Sequence, residues 1–174
     1  NLSGGDLNGR DTQAVRGALR WDLGDNGILD LIVNHQRDTP PGTAFRSGNI
    51  PTRQGSTAFF DTPADLNRGE ALGLDRTVNS ATLLGEFRLG DIWTLSSTTG
   101  WREFDSTEEF DADGSQANLL EFAEIAEGRQ FSQEIRFNYD AGGRFRGFAG
   151  ASWFDESGSQ RVPFQTDERS LYAL

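Results

Sequence analysis

Residues 78–104 read VNSATLLGEFRLGDIWTLSSTTGWREF, and they decide the fold. Apolar or small residues occupy alternate positions before the Gly90–Asp91 turn: Ala81, Leu83, Gly85, Phe87 and Leu89. After the turn, Trp93, Leu95 and Trp101 share one parity with Ser97 and Thr99, and the opposite parity holds Thr94, Ser96, Thr98 and Arg102. Alternation with a period of two is typical of a β-strand with one apolar face. The stretch therefore predicts a β-hairpin with strands at 78–89 and 92–104.

Two more stretches have the same form, one on each side of this hairpin. Strands are predicted at 12–23 and 28–37, and again at 130–139 and 144–155. The residues between the paired strands are rich in glycine with Asn or Asp, which is a strong signal for a tight turn. The last strand alternates less cleanly, because its aromatic residues fall on both parities. We expect an all-β protein, an antiparallel meander of about six strands in three hairpins.

The connections between these hairpins are much longer than the turns within them. The turns lie at one end of the strands, the short-turn end, and the links 38–77 and 105–129 lie at the other, the long-loop end. Alternating short turns and long loops are typical of outer-membrane β-barrels. Because six strands are too few to close such a barrel, we expect a part of a large transmembrane β-barrel. In isolation it would be an open or partly closed sheet whose edges pair between chains.

Aromatic residues cluster towards the two ends of the predicted strands. Near the short-turn end lie Trp21, Phe87, Trp93, Phe137 and Tyr139, and near the long-loop end lie Trp101, Phe131 and Trp153. Aliphatic and small residues separate the two groups. Two such belts match the aromatic girdles of a lipid-embedded barrel. The alternative is that these aromatic residues cap the core of a soluble sandwich or barrel.

The composition excludes several classes of function. The chain of 174 residues has no Cys, one His, and 27 acidic against 16 basic residues, a formal charge of −11. Disulfide frameworks, thiol catalysis, Cys-ligated zinc and sites with two imidazoles are therefore excluded. No cluster of arginines could neutralise a phosphate backbone, so we expect no nucleic-acid partner. The start at Asn1 rather than Met leads us to expect that residues 1–174 are a single segment of a longer chain.

The link 105–129 is the most acidic part of the sequence. Glu108, Glu109, Asp111 and Asp113 lie close together in it, and we predict that they form a cation-binding loop, because Ca²⁺ prefers oxygen ligands. The spacing departs from that of an EF-hand, since Gly114 comes two positions too early. The alternative is a solvated, self-repelling loop. Apolar residues at 119–126 predict a short helix over this loop.

The link 38–77 combines arginines with aromatic residues. We predict that Arg46, Arg53, Phe59, Phe60 and Arg68 contact an anionic ligand, because guanidinium groups bind carboxylates strongly. The alternative is that they pack the loop against its neighbours. No nucleophile motif, phosphate-binding glycine loop or metal-ligand spacing occurs in the sequence. We therefore expect no enzyme, no catalytic residue, no metal and no cofactor.

Three motifs resemble strands of TonB-dependent receptors. Residues 93–102, WTLSSTTGWR, resemble the family's LTSITGYR strand. Residues 130–136, QFSQEIR, are similar to the FSQELRL strand that often follows it. Residues 142–156, GGRFRGFAGASWFDE, resemble the strand WVAGLYYFDE. The motifs keep the family's order, whereas the first hairpin shares only the general pattern.

The resemblance implies a barrel-wall segment of a receptor in the outer membrane of a Gram-negative bacterium. Such receptors import scarce solutes with the proton-motive force, and a plug domain closes their barrel. Siderophore-bound iron is the leading solute class, and the implied partners are lipid, the other barrel strands, the plug and, through the plug, TonB. This sequence contains no plug domain, so it implies a structural wall with outer loops that contact the ligand. The competing hypothesis is a secreted or surface β-sandwich module that binds carbohydrate or protein.

Overall fold

A computed structural model describes residues 1–58 and 63–167 of the chain. Apart from one short 3-10 turn at Gly24–Asn26, the regular secondary structure of the described residues is all β-strand. The strands are β1 (Thr12–Asp22), β2 (Gly27–Asp38), β3 (Gly73–Arg88), β4 (Trp93–Asp111), β5 (Glu121–Asp140), β6 (Arg146–Arg161) and the short β7 (Phe164–Gln165). Six long strands in three hairpins confirm the predicted antiparallel meander.

The strands form one sheet in chain order, from β1 to β6, with β7 paired to β5. Every pairing joins two odd-numbered or two even-numbered residues, for example Leu31 with Leu83 and Asp30 with Leu84. Successive side chains of a strand point to opposite sides. The odd-numbered strand residues therefore form one face, the apolar face, and the even-numbered residues form the polar face. β1 and β6 are the edges and do not pair with each other in the described chain, so the sheet is open.

The sixth strand carries aromatic residues on both faces. Trp153 lies on the apolar face, Phe148 and Phe154 lie on the polar face, and Phe145 precedes the strand. All residues of β6 are exposed, because the strand has a neighbour on one side only. The alternation is imperfect because aromatic residues lie on both faces of β6, while the strand itself is continuous from Arg146 to Arg161.

The strands extend well into the links that the sequence assigned to loops. β4 ends at Asp111 and β5 begins at Glu121, so most of 105–129 is paired strand and only 112–120 connects the two. β3 begins at Gly73, which shortens the other link in the same way. The acidic residues of these extensions hide the alternation in the sequence, but pairing with an existing neighbour strand continues through them.

The predicted short helix at 119–126 is wrong. From Glu121 onward these residues pair with β4 and belong to β5. Phe110 and Phe122 face each other across the pair, with ring centroids 5.3 Å apart, and the Phe164 ring of β7 lies 6.2 Å from that of Phe122. Cross-strand aromatic pairs stabilise a sheet, so the apolar residues that indicated a helix contribute to strand pairing instead.

The buried apolar core lies at the long-loop end and not on the sheet. Its members among the described residues are Ala64, Leu66 and Leu72, with Leu7 and Ala44 packed against them. The side chains of the apolar face remain uncovered: Leu19 is 52% exposed and Ile135 is 40% exposed. Both faces of the sheet are therefore open over most of their length.

The turn into β2 depends on Gly27. Its φ is +144°, and a Cβ at this position would overlap the backbone oxygen of Glu86 on β3. We expect Gly27→Ala to lower the free energy of unfolding by about 2 kcal/mol, because it strains the backbone and separates β2 from β3. Chemical denaturation followed by far-UV circular dichroism measures the change. The control is Gly143→Ala, whose new Cβ meets nothing within 4 Å; equal losses in the two variants would contradict the prediction.

Candidate functional site

The long-loop end is the best-packed part of the molecule. The N–H of Leu2 donates to the carbonyl of Ala64, and the N–H of Ser47 donates to that of Gly114, both at 2.8 Å. The N-terminal residues, the long link and the β4–β5 turn therefore meet here. The buried polar and charged side chains are Asp38, Asp65, Asp111, Ser115 and Glu121. Because burial of charge is costly without a partner, the contacts of these carboxylates decide how the region is held.

Asp65 is held by Arg53, one of the predicted ligand-contact residues. Nε and Nη2 of Arg53 each donate to Oδ1 of Asp65 at 3.1 Å, and the backbone N–H of Arg53 donates to Oδ2 at 2.5 Å. The Gln116 side chain donates a further bond to Oδ1 at 2.7 Å. Asp65 is 2% exposed, so the guanidinium of Arg53 compensates a buried charge inside the loop.

Arg68, another predicted ligand-contact residue, joins the long link to the β4–β5 hairpin. Its Nη1 donates to Oε2 of Glu121 at 3.2 Å, and its Nη2 pairs with Glu109. The side chain of Asn67 donates to the other oxygen of Glu121 at 2.7 Å. Glu121 is buried, so these charge-assisted bonds fix the position of the link over the hairpin.

The other predicted ligand-contact residues are placed differently. Arg46 is half-buried, and its Nη1 is enclosed with no hydrogen-bond partner in the described chain. Phe59 and Phe60 lie outside the described residues. The structure thus uses Arg53 and Arg68 for packing within the long-loop end.

The four residues of the predicted cation-binding loop do not form one ligand set. Glu108 and Glu109 are consecutive on β4, so they lie on opposite faces of the sheet. The carboxylate of Asp113 accepts backbone N–H groups of its own turn at 2.9 to 3.1 Å. Across residues 1–58 and 63–167, no group of three or more His, Cys, Asp or Glu is arranged to hold a metal ion.

Asp111 is the most unusual of these carboxylates. It is 1% exposed, and its Oδ1 accepts the N–H groups of Asp113 and Gly114 at 3.1 and 2.9 Å. Its Oδ2 is buried without a hydrogen-bond partner in the described structure. Burial raises the pKa of Asp111 to about 6, and the negative charges of Asp113 and Glu121 act in the same direction. The ionised form of Asp111 is therefore unfavourable at this position.

All eight aromatic residues of the two predicted belts lie on the apolar face. They are Trp21, Phe87, Trp93, Phe137 and Tyr139 towards the short turns, and Trp101, Phe131 and Trp153 towards the long loops. The rings of Trp93 and Tyr139 pack with centroids 5.0 Å apart, and Trp101 lies opposite Phe131. From Trp93 to Trp101, β4 rises roughly 26 Å at about 3.3 Å per residue. The four Trp residues of the chain thus share one face.

An aromatic residue that the sequence analysis did not single out lies on the polar face. Phe104 pairs with Gly128 of β5, and its ring covers that glycine, since a Cβ added at Gly128 would lie 2.6 Å from Cε1 of Phe104. A groove of about 570 Å³ opens beside the ring. The sequence could have indicated this residue, because Phe104 is an aromatic residue at a position of β4 whose neighbours of the same parity are mostly polar. The register of β4, β5 and β6 was needed to place Gly128 and Gly158 beside it.

Removing the charge of Asp111 should change how the long-loop end responds to pH. A carboxyl whose pKa rises from 3.8 to about 6 on folding stabilises the packed state below about pH 4, and this stability is lost as the pH rises through about 6. We expect Asp111→Asn to protect residues 112–120 more than the wild type at pH 7.5, by on the order of 2 kcal/mol, and to abolish this pH dependence. Hydrogen exchange measured from pH 4 to 7.5 tests it.

The matched control for this experiment is Glu108→Gln, at an exposed position of the same strand. It should leave the pH dependence of residues 112–120 as in the wild type. A wild type whose exchange protection does not fall between about pH 4 and 6 would refute the assignment to Asp111.

Loss of the Arg68 guanidinium should loosen the long-loop end. Arg68→Gln leaves the buried carboxylate of Glu121 with the Asn67 bond alone, and we expect a cost of about 2 to 3 kcal/mol in local stability. Exchange of residues 112–120 at constant pH measures it. Arg37→Gln removes an ion pair whose two side chains are both more than half exposed, and it should cost less than about 1 kcal/mol. Equal effects of the two substitutions would mean that burial of Glu121 does not matter.

The chain matches none of the protein-family models, curated proteins or solved structures with which it was compared. In the part of the chain that the structure describes, no helix has the length and apolar character needed to cross a membrane. The features of the chain that bear on its function are the two faces of the sheet, the packing of the long-loop end and the resemblance of the sequence motifs.

Proposed function

We propose that this chain is a barrel-wall segment of a TonB-dependent receptor in the outer membrane of a Gram-negative bacterium, which takes up a scarce solute. The observation that carries the proposal is the uncovered apolar face, bounded by two rows of aromatic side chains. The strands serve as structural wall, and the long-loop end and the polar face serve in contact with the solute.

Lipid is the covering that suits the apolar face. Between the aromatic rows it consists mostly of aliphatic and small side chains, including Leu19, Leu31, Val33, Ala81, Leu83, Leu95 and Ile135. The polar side chains among them, Ser97, Thr99 and Gln133, hydrogen-bond to one another. Exposure of apolar surface to water costs about 25 cal/mol per Å². Soluble monomers rarely expose apolar patches larger than a few hundred Å². Contact with hydrocarbon chains removes this cost without a second protein layer.

The separation of the aromatic rows fits the thickness of a membrane. Strands of outer-membrane barrels are tilted by about 35–45°, so the roughly 26 Å from Trp93 to Trp101 along β4 corresponds to roughly 20 Å along the membrane normal. The apolar band of such barrels is about 25 Å high and is flanked by aromatic girdles. Trp and Tyr favour this interfacial position because their rings combine an apolar body with a polar group.

The charges of the polar face fit an aqueous lumen. Arg20 and Asp30 form an ion pair on this face at 2.6 Å, and the guanidinium of Arg136 lies 4.8 Å from the ring centroid of Phe148. An arginine facing lipid at the middle of the bilayer costs about 2–4 kcal/mol, whereas lumen positions tolerate charge. The polar face is thus the side for the plug and for the solute.

The open edges fit incorporation into a larger barrel. β1 and β6 each leave one side of the strand without a pairing partner in the described sheet. Closure of a barrel removes such edges, so the other strands of the receptor are the partners that we assign to β1 and β6. TonB would act on the receptor through the plug. Pairing between copies of this chain would compete with that assembly. Siderophore-bound iron is the solute class favoured by the resemblance.

Fluorescence of the four Trp residues tests the proposal, since all of them lie on the apolar face. Single-Trp variants, with the other Trp residues changed to Phe, are reconstituted into phosphatidylcholine vesicles. We expect lipids brominated on their acyl chains to quench Trp21, Trp93, Trp101 and Trp153, and iodide in the buffer to quench them weakly. The physical reason is that bromine quenches by contact with the ring, which requires a lipid-facing side chain.

The matched controls carry a single Trp on the polar face, in Phe148→Trp and Phe154→Trp. They should be quenched by iodide and little affected by the brominated lipids. Four native Trp residues that respond to iodide and not to bromine would contradict the proposal. A monodisperse monomer in detergent-free buffer, with these Trp residues shielded from iodide, would instead support the β-sandwich module.

A further inference from the structure

The groove beside Phe104 lies on the polar face where three rows of paired residues run side by side across β3 to β6. The middle row is flat and mainly apolar, and the rows on both sides of it are polar. The middle row is Val78, Phe104, Gly128 and Gly158. The row towards the short turns is Ser80, Arg102, Gln130 and Glu156. The row towards the long loops is Arg76, Ser106, Ala126 and Gln160.

The Phe104 ring forms an accessible platform in this groove. It lies against Gly128, where a Cβ would approach within 2.6 Å of its Cε1 and within 3.2 Å of its Cζ. The next residue of the row, Gly158, also lacks a side chain, so nothing rises above the ring on the β6 side of the row. Phe104 is half-buried, with the remaining part of its surface open to the groove. Two glycines in register thus leave one aromatic surface free for a ligand.

Polar groups surround the platform on both sides. The side chains of Arg102 and Glu156 are exposed, and neither makes a hydrogen bond or an ion pair with another side chain within residues 1–58 and 63–167. Gln130 lies between them in the same row, where the groove continues over a further 210 Å³ or so. On the other side, the amide of Gln160 donates to Glu124 at 2.8 Å. The rim therefore offers a guanidinium, amides and carboxylates, which together supply donors and acceptors on both sides of the ring.

The charges of the groove balance. Its cationic side chains on the polar face are Arg76 and Arg102, and its anionic side chains there are Glu124 and Glu156. The charge of Arg76 is further compensated by Asp38, at 2.8 Å. A polyanionic ligand would need a clear excess of cationic groups. The groove is therefore suited to a neutral ligand that carries many hydroxyl groups.

We propose that the groove over Phe104 binds a saccharide. The C–H bonds on one side of a sugar ring pack on an aromatic ring, while the hydroxyl groups reach the polar side chains around it. The volume of about 570 Å³ lies within the range of roughly 300–1,000 Å³ that is usual for small-molecule sites. Saccharide binding itself depends on the groove alone. It rests on the proposed function only for its role as the imported solute, in which it takes the place of siderophore-bound iron.

Saturation-transfer difference NMR on the full chain tests this site, with maltotriose, cellotriose and chitotriose as probes. We expect at least one of the three to bind, and Phe104→Ala to weaken its binding about tenfold or more, because the stacking surface is lost. Gly128→Ala should weaken it as well, since the added methyl displaces the ring. Ferric citrate, a polyanionic chelate, should not displace the sugar.

The matched controls are Phe148→Ala, an exposed aromatic residue elsewhere on the polar face, and Gly147→Ala, whose new Cβ meets nothing within 4 Å. Both should bind as the wild type does. No binding of any trisaccharide, or equal weakening by Phe104→Ala and Phe148→Ala, would overturn the site. So would displacement of the sugar by ferric citrate. Trisaccharide binding by a chain whose Trp residues fail the lipid test would retain the site and reject the receptor.

Discussion

The structure depends on one constraint, the register in which the six long strands pair. Every pair joins residues of the same parity, so the side chains of all strands divide into the same two faces. A slip of one residue in any pair would transfer a whole strand to the wrong face. Consecutive residues of β4 illustrate this division, because Trp101 belongs to the aromatic row and Arg102 to the rim of the groove. The apolar face, the ion pairs of the polar face and the Phe104 platform all follow from this register.

The molecule is held together differently at its two ends. Across the sheet, backbone pairing and cross-strand contacts connect the strands, and most side chains remain open to the surroundings. At the long-loop end, Asp65 and Glu121 are buried and are bound by Arg53 and Arg68. A buried charge is strongly destabilising once its partner is removed. This end is therefore the part of the molecule in which single charges matter most, and at Asp111 burial favours the neutral, protonated carboxyl.

The two proposals use opposite faces of the same strands. A wall segment needs an apolar band towards lipid and a polar surface towards water, and the alternation in β4 and β5 supplies both. The saccharide groove occupies the polar surface where Phe104 interrupts the polar pattern and Gly128 and Gly158 leave room beside it. An aromatic residue on the polar face would be a cost in a purely structural wall, since it exposes apolar surface to water. A ligand that stacks on the ring removes that cost.

The sequence by itself determined the local features. Period-two alternation and glycine-rich turns were sufficient for the six strands, the three hairpins and the two faces of each hairpin, because each depends on neighbours within one hairpin. The register between the hairpins then placed the aromatic residues of all three on one side of the sheet. The sequence missed the extensions of β4 to Asp111 and of β5 from Glu121, since acidic residues there mask the alternation and pairing is driven by the adjacent strand. Tertiary structure alone decided the rest. The Arg68–Glu121 contact joins residues far apart in the chain, the burial of Asp111 depends on the link that packs over it, and the Phe104 groove needs four strands in register.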